Sequence, residues 1–211
     1  MSTAPAPRHP IFARVWTQLS QRIEAEVGRF REELLAGLSG RVVEIGAGNG
    51  LNFAHYPNTV TEVIAVEPEP FLRERALEAA ASAPVPVRVL DGVAEALPLQ
   101  DASVDAAVCC LVLCSVADPR RAIAEIERVL VPGGVLRLLE HVRSDGGHAR
   151  MQRSLDLSRI WPTLAGGCRC SRETLATVES AGFSVTQRRE QIFPPRLSPI
   201  NPVIIATAQR L

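Results

Sequence analysis

The chain has 211 residues, with 23 basic side chains against 23 acidic ones and a formal net charge of zero at pH 7. That length suits one globular domain, residues 1–211, with a core of its own, and the balanced charge offers no basic surface for nucleic acid or an anionic membrane. Every basic residue apart from histidine is arginine, which excludes Schiff-base lysine chemistry and a P-loop lysine, and five cysteines, an odd number, read as reduced thiols rather than a disulfide framework.

The Ala/Pro-rich first ten residues hold no apolar core of a signal peptide and are expected to fray. The longest apolar run, around Val104 to Ala117, is too short to span a bilayer, so the expectation is a cytoplasmic protein without a membrane anchor. Val15, Leu19, Ile23, Val27, Phe30, Leu34 and Leu38 recur at steps of three and four and describe one apolar helical face. Residues 1–38 therefore read as an N-terminal helical segment, with Phe12, Arg14 and Trp16 either on a lid or packed against a sheet edge. From Arg41 an apolar run leads into Gly46-Ala47-Gly48-Asn49-Gly50, the pattern of a buried strand followed by a glycine turn. Glycines there admit a nucleotide-like ligand to the backbone. Leu51 stands where a dinucleotide fingerprint needs its third glycine.

Leu51 to Tyr56 reads as a short helix, Val63 to Glu67 as a strand end, Pro70 to Ala81 as a helix and Val85 to Leu90 as a third strand. Val104 to Leu113 suits a central strand covered on both faces. Asp118-Pro119 starts a helix that Pro132-Gly133-Gly134 stops, and Val135 to Glu140 is the fifth strand. A helical stretch from Ala149 to Ile160, a turn through Trp161-Pro162 and Gly166-Gly167, and a helix from Ser171 to Gly182 follow. Phe183 to Gln191 and Val203 to Ala208 close the chain as strands joined by the proline-rich loop Phe193 to Pro202, paired antiparallel. The fold class is α/β: a doubly wound, Rossmann-like sheet, mostly parallel with an antiparallel C-terminal strand, and helices on both faces. Ligands bind such sheets at the carboxyl ends of the strands, which singles out Glu44 to Gly50, Glu67 and Pro68, Asp91 to Glu95, Cys110 to Ser115 and Glu140 to Arg143.

The G-x-G-x-G spacing of Gly46, Gly48 and Gly50, with Glu44 two residues earlier and Glu67 at the end of the next strand, resembles class I S-adenosylmethionine (SAM) methyltransferases. Leu97-Pro98-Leu99, Asp101 to Asp105 and the Pro132-Gly133-Gly134 turn are similar to the ubiquinone and menaquinone C-methylase group. More narrowly, Leu111 to Val116, Glu140-His141-Val142, Trp161 with Ala165-Gly166-Gly167-Cys168, Arg172 and Ala181-Gly182-Phe183 resemble the thiol S-methyltransferase-like branch. Two departures stand out. The hydrophobic N-terminal anchor of the animal proteins is missing, and Gly92-Val93-Ala94 replaces an acidic pattern, which moves the expected adenine contact to Ala94, Glu95 or Asp91.

The resemblance implies SAM as cofactor. Glu67 is expected to accept the ribose hydroxyls, Glu44 to meet the ammonium of the methionine part, and Gly46, Ala47, Gly48, Asn49, Gly50 and Asn52 to lie against the carboxypropyl and ribose portions. Pro68, Cys110 and Leu111 complete that pocket. Trp16, Cys114, Trp161 and the Phe193 loop are expected on the acceptor side, with Arg169 and Arg172 either closing it or solvated. His141 there is either a modest base or a structural histidine. Cys168-x-Cys170 lacks the usual two-residue metal spacer, so core thiols and no metal are expected. The leading function is methyl transfer from SAM to a small lipophilic acceptor, a thiol ahead of a phenol or quinone. A nucleotide-binding oxidoreductase, disfavoured by the glycine spacing, and a non-catalytic SAM-binding protein are the alternatives.

Overall fold

The computed structural model describes residues 9–193 and 198–211. The Ala/Pro-rich start (1–8) and the middle of the proline-rich loop (194–197) lie outside them. Seven strands, β1 (Gly40–Ile45), β2 (Val60–Val66), β3 (Val87–Leu90), β4 (Val104–Cys110), β5 (Leu130–His141), β6 (Phe183–Gln191) and β7 (Val203–Arg210), form one sheet in the order β3-β2-β1-β4-β5-β7-β6. The first five run parallel, and β7 is antiparallel to both its neighbours, as the sequence predicts. The chain leaves β1 toward β2 on one side and returns to β4 on the other, so the strand order reverses between β1 and β4 and opens a crevice at their carboxyl ends.

The alternating faces of these strands build two apolar layers. Val43, Ile45, Ala107 and Cys109 face the layer under α3 (Pro119–Val129) and α6 (Thr174–Ser180), where Ile123, Ile126 and Val178 are fully buried. Val42, Ala106 and Val108 face the layer under α1 (Pro10–Leu35) and α2 (Pro70–Ala80), closed by Val27, Phe30, Leu34 and Ala76. Small residues in β4, the middle strand, let both layers approach the sheet closely.

Local chemistry overrides the expected boundaries at several points. The apolar face from Val15 to Leu34 lies on a single helix that ends at Leu35, before Leu38, and its apolar stripe is packed mainly in the second half: Val15 is 56% and Leu19 46% exposed. At 26 residues α1 is about 39 Å long, whereas the 7-residue β4 spans about 23 Å, so the first turns of α1 overhang the carboxyl edge of the sheet. The fifth strand begins at Leu130, not Val135, because Pro132-Gly133-Gly134 does not separate helix from strand. Val104 pairs with Leu130 and Ala106 with Val135, so residues 131–134 bulge outward. Gly133 takes φ +76° there, and a Cβ on Gly134 would lie 2.9 Å from the Val131 carbonyl.

β4 stops at Cys110, where Leu111 turns into the left-handed region at φ +59°. Trp161-Pro162, expected as a turn, belongs to the short helix α5 (Ile160–Leu164), which Arg159 at φ +60° separates from α4 (Gly146–Ser158). The helix expected from Ser171 to Gly182 covers only Thr174–Ser180, and the short helix after the glycine turn is one 3-10 turn, Phe53–His55.

Asp118 caps α3 as its sequence position predicts, its Oδ1 accepting the N–H groups of Arg120 and Arg121 at 3.0 and 3.1 Å. Replacing Asp118→Ala removes both acceptors and is expected to lower stability by about 1 kcal/mol, which chemical denaturation would read as a reduced midpoint at unchanged slope.

Candidate active site

The crevice between β1 and β4 is floored by the glycine turn. Gly46 and Ala47 both donate to the Val66 carbonyl, which fastens the turn to β2. The three glycines there meet different surroundings. A Cβ on Gly46 would stand 2.3 Å from Val112 Cγ2, and one on Gly50 would stand 2.8 Å from Ala79 and the Phe53 ring, so packing excludes side chains at both. Gly48, at φ +58°, faces open space with only Trp16 Nε1 as near as 4.0 Å. Gly48 is therefore the glycine of the three whose backbone faces open space. Its N–H donates to Glu67 Oε2 at 2.8 Å, while Glu67 Oε1 accepts from the Glu69 N–H at 2.9 Å. Burial raises the Glu67 carboxyl, against these two amides that lower it. Two of its roughly four acceptor positions remain open.

Behind the turn lies a buried polar network. Glu44 accepts from Asn52 Nδ2 at 2.8 Å and from the Tyr56 hydroxyl at 2.7 Å, and burial pushes its carboxyl up to about 7. Asn52 Oδ1 accepts in turn from Arg31 Nη1 at 2.8 Å, which also lies 3.2 Å from Cys110 Sγ. Arg31 sits on the buried face of α1 and is 6% exposed. Arg31, Glu44 and Trp16 line the same cleft as Gly48 and Leu111. The sequence carried a signal for it: an arginine four residues after Val27 and three before Leu34, inside an apolar stripe. Asn49 Nδ2 donates to Ser20 Oγ at 3.2 Å, a second tie between α1 and the turn.

The remaining candidates around this cleft make contacts within the protein. Pro68 offers its carbonyl to Arg73 Nη1, which also pairs with Asp91. Ala94 is buried in the core, and Glu95 Oε1 accepts the Asp118 N–H at 3.0 Å at the start of α3.

On the other side of Leu111 the turn after β4 is built by a buried carboxylate. Glu140 Oε1 accepts the N–H groups of Val112 and Leu113 at 2.9 and 2.8 Å, and Oε2 accepts that of Cys114 at 3.2 Å. Arg172 binds the Leu113 and Val116 carbonyls of the same turn, so its guanidinium braces backbone and is not free for an acceptor.

Against this turn the structure brings together three groups far apart in sequence. His141 Nδ1 lies 3.6 Å from Cys114 Sγ and 3.5 Å from Cys168 Sγ, and all three side chains are buried. Cys114 is pushed up by its hydrogen bond with Cys168 and by burial. The hydrogen bond with Cys114 lowers the Cys168 thiol, but Cys170 and burial push it up to about 12 against that bond and against Trp161, which also lowers it. Phe193, expected on the same wall, instead packs its ring at 5.0 Å, tilted by 41°, against Phe30 in the layer under α1. The Phe12 ring stacks on Trp16 at 5.8 Å and fills the space above Gly166, where a Cβ would lie 2.4 Å from it.

Comparison with known proteins agrees with this architecture. Residues 43–138 match the model of a family described as a methyltransferase domain. A thiol S-methyltransferase (TMT1B) of Mus musculus is 36% identical over 179 residues, covering 82% of this chain and 73% of the relative. A demethylmenaquinone methyltransferase of Deinococcus radiodurans is 33% identical over 141 residues, covering 64% and 56%. Among solved structures, a SAM-dependent methyltransferase of Thermotoga maritima, described as a possible histamine N-methyltransferase, superposes with a TM-score of 0.67 at 28% identity, covering 96% of this chain and 98% of that one.

The Glu44 environment makes stability depend on pH. A carboxyl whose folded pKa lies above its unfolded value keeps the folded state more protonated between the two values. Its contribution is present below about 4.5 and is lost as pH rises through about 7. Glu67 and Glu140 are raised in the same direction by burial. In the ligand-free protein the loss from Glu44 is expected to be on the order of 3 kcal/mol. Urea unfolding of parent and Glu44→Gln across this range should show the decline in the parent and a flatter profile in the variant; equal slopes would refute the assignment.

Proposed function

We propose that this chain, which belongs to the SAM-dependent methyltransferases, transfers the methyl group of its cofactor to a small lipophilic acceptor, with a thiol ahead of a phenol or quinone. The observation that carries the cofactor site is the Cβ-free face of Gly48, with its amide on Glu67, at the carboxyl end of β1. Glu67 has the acceptor positions for two ribose hydroxyls. Glu44 and Arg31 place opposite charges in one cleft, which matches the ammonium and carboxylate of an amino-acid zwitterion. The cofactor supplies a methyl group on a sulfonium, already electrophilic, so the protein has mainly to aim the acceptor and exclude water.

Residues 1–38 are read as the lid that does this. In support, α1 overhangs the cleft, Trp16 stands over Gly48, and Ser20 and Arg31 tie the helix to Asn49 and Asn52. Trp16, Cys114 and Trp161 are assigned to the acceptor side, and His141 to the acceptor's deprotonation. The apolar and aromatic character of these residues supports a lipophilic acceptor, and the relative named a thiol S-methyltransferase supports sulfur as the acceptor atom. The demethylmenaquinone methyltransferase keeps a quinone-type acceptor as the second reading. Five free cysteines and the balanced charge support a cytoplasmic working place and no nucleic-acid partner. Among the described residues no helix is long and apolar enough to cross a membrane.

SAM or S-adenosylhomocysteine at a hundred times its Kd is expected to raise the melting temperature by about 5–10 °C, and NADH to leave it unchanged. Gly48→Val should abolish that shift with the fold intact, and Glu67→Ala should weaken binding roughly tenfold to a hundredfold. Parent-like binding by both variants would remove the site from this cleft. In a panel of aliphatic thiols, phenols and quinols, mass detection of products should find thiols turned over fastest; methylation of phenols or quinols alone would overturn the thiol assignment and leave methyl transfer standing.

A further inference from the structure

Cys114, His141 and Cys168 come from the turn after β4, the end of β5 and the loop after α5, and their ligand atoms all lie within 4.8 Å of one another. Zn–S bonds of about 2.3 Å and Zn–N bonds of about 2.0–2.1 Å, set at the tetrahedral angle, put sulfur and nitrogen about 3.5–3.6 Å apart. The two Sγ to Nδ1 distances here are 3.6 and 3.5 Å. A neutral imidazole has one acceptor lone pair at Nδ1 for the two thiols that converge on it, and the Cys114 thiol has the Leu111 carbonyl at 3.7 Å as a second acceptor, so the tetrahedral distances carry the metal assignment. Charge points the same way. Two thiolates and a neutral imidazole cancel a divalent cation, whereas a single thiolate in this buried position would stand unpaired.

We propose that Cys114, His141 and Cys168 form a binding site for a soft divalent cation of tetrahedral preference, zinc above all, whose fourth position is taken by the acceptor thiol. Cys170 interacts with Cys168 yet stays outside the group of three, which leaves the set of protein ligands open, as in catalytic rather than structural zinc sites. Cys114 Sγ lies 3.7 Å from the carbonyl oxygen of Leu111, and Leu111 lines the cleft around Gly48, so the three side chains stand behind the wall of that cleft. An acceptor R–SH binding at the fourth position loses its proton to solvent and becomes a metal-bound thiolate; His141 then acts as a ligand in place of the base role given to it above, and the protein needs no strong side-chain base. The acceptor half of this inference rests on the thiol reading above; the metal half does not.

The test is a titration of the reduced, chelator-treated full chain with cobalt(II), followed by absorption spectroscopy. One equivalent is expected to bind with sulfur-to-cobalt charge-transfer absorption and the intense visible bands of a tetrahedral ion, and zinc should displace it. Cys114→Ser and Cys168→Ser should each lower metal affinity by at least about a hundredfold while still binding S-adenosylhomocysteine, whereas Cys170→Ser should leave it unchanged. Absence of these bands in the parent, or a Cys114–Cys168 disulfide forming in place of metal uptake, would overturn the site. Hexanethiol should shift the cobalt bands, and zinc-loaded protein should methylate it at a rate nearly flat from about pH 7 to 9, where a free thiol would make the rate climb. Thiol methylation at full rate after metal removal would overturn the metal's part in the reaction and leave the methyltransferase reading intact.

Discussion

The Glu140 carboxylate, wholly buried and holding three backbone N–H groups, is the interaction on which the carboxyl edge of the sheet depends. Val112, Leu113 and Cys114 turn sharply out of β4 and have no strand partner for those amides. In the core, each unpaired amide would cost on the order of 1–3 kcal/mol. Arg172 completes the arrangement from the other side by binding the Leu113 and Val116 carbonyls. With donors held by Glu140 and acceptors held by Arg172, the turn keeps Leu111 in a left-handed conformation and aims Cys114 at His141. One acid and one base, 32 positions apart in the chain, thus shape the turn between the Gly48 cleft and the Cys114, His141 and Cys168 cluster.

Glu44 solves the same burial problem with side chains. Tyr56 and Asn52 donate to it, and Arg31 reaches Asn52 from α1, so the glycine turn and the first helix share one polar network. That network explains why α1 is more than a cover for the sheet. Its second half is held by Val27, Phe30 and Leu34, while in its first half Val15 and Leu19 are exposed, Phe12 stacks on Trp16, and Trp16 Nε1 comes within 4.0 Å of where a Cβ on Gly48 would stand.

Much of the fold was legible from pattern. The alternation of apolar runs with helical stripes carried the doubly wound, mostly parallel sheet, and the Asp118-Pro119 cap carried the start of α3. Element ends were less legible, because they turn on single backbone conformations: Leu111 and Arg159 at positive φ, and a Pro-Gly-Gly bulge where a stop was expected. Among the candidate site residues, Gly46, Gly48 and Gly50 look equivalent along the chain, yet two are glycine because Val112, Phe53 and Ala79 crowd them and one because the cleft lies over it.

By itself, the sequence determined what is periodic or local: strands whose residues are apolar on both faces, caps, turns, and the strand-end acids Glu44, Glu67 and Glu140. Those properties follow from nearest neighbours along the chain and from the 2.0 and 3.6 residue repeats. Tertiary structure alone decided which distant side chains share one buried space. Arg31 meets Asn52, Arg172 meets the turn after β4, Phe193 goes to Phe30, and Cys114, His141 and Cys168 converge to within 4.8 Å. The physical reason is that a desolvated polar group must find its partner wherever the packed core places one, and sequence spacing records nothing about that distance.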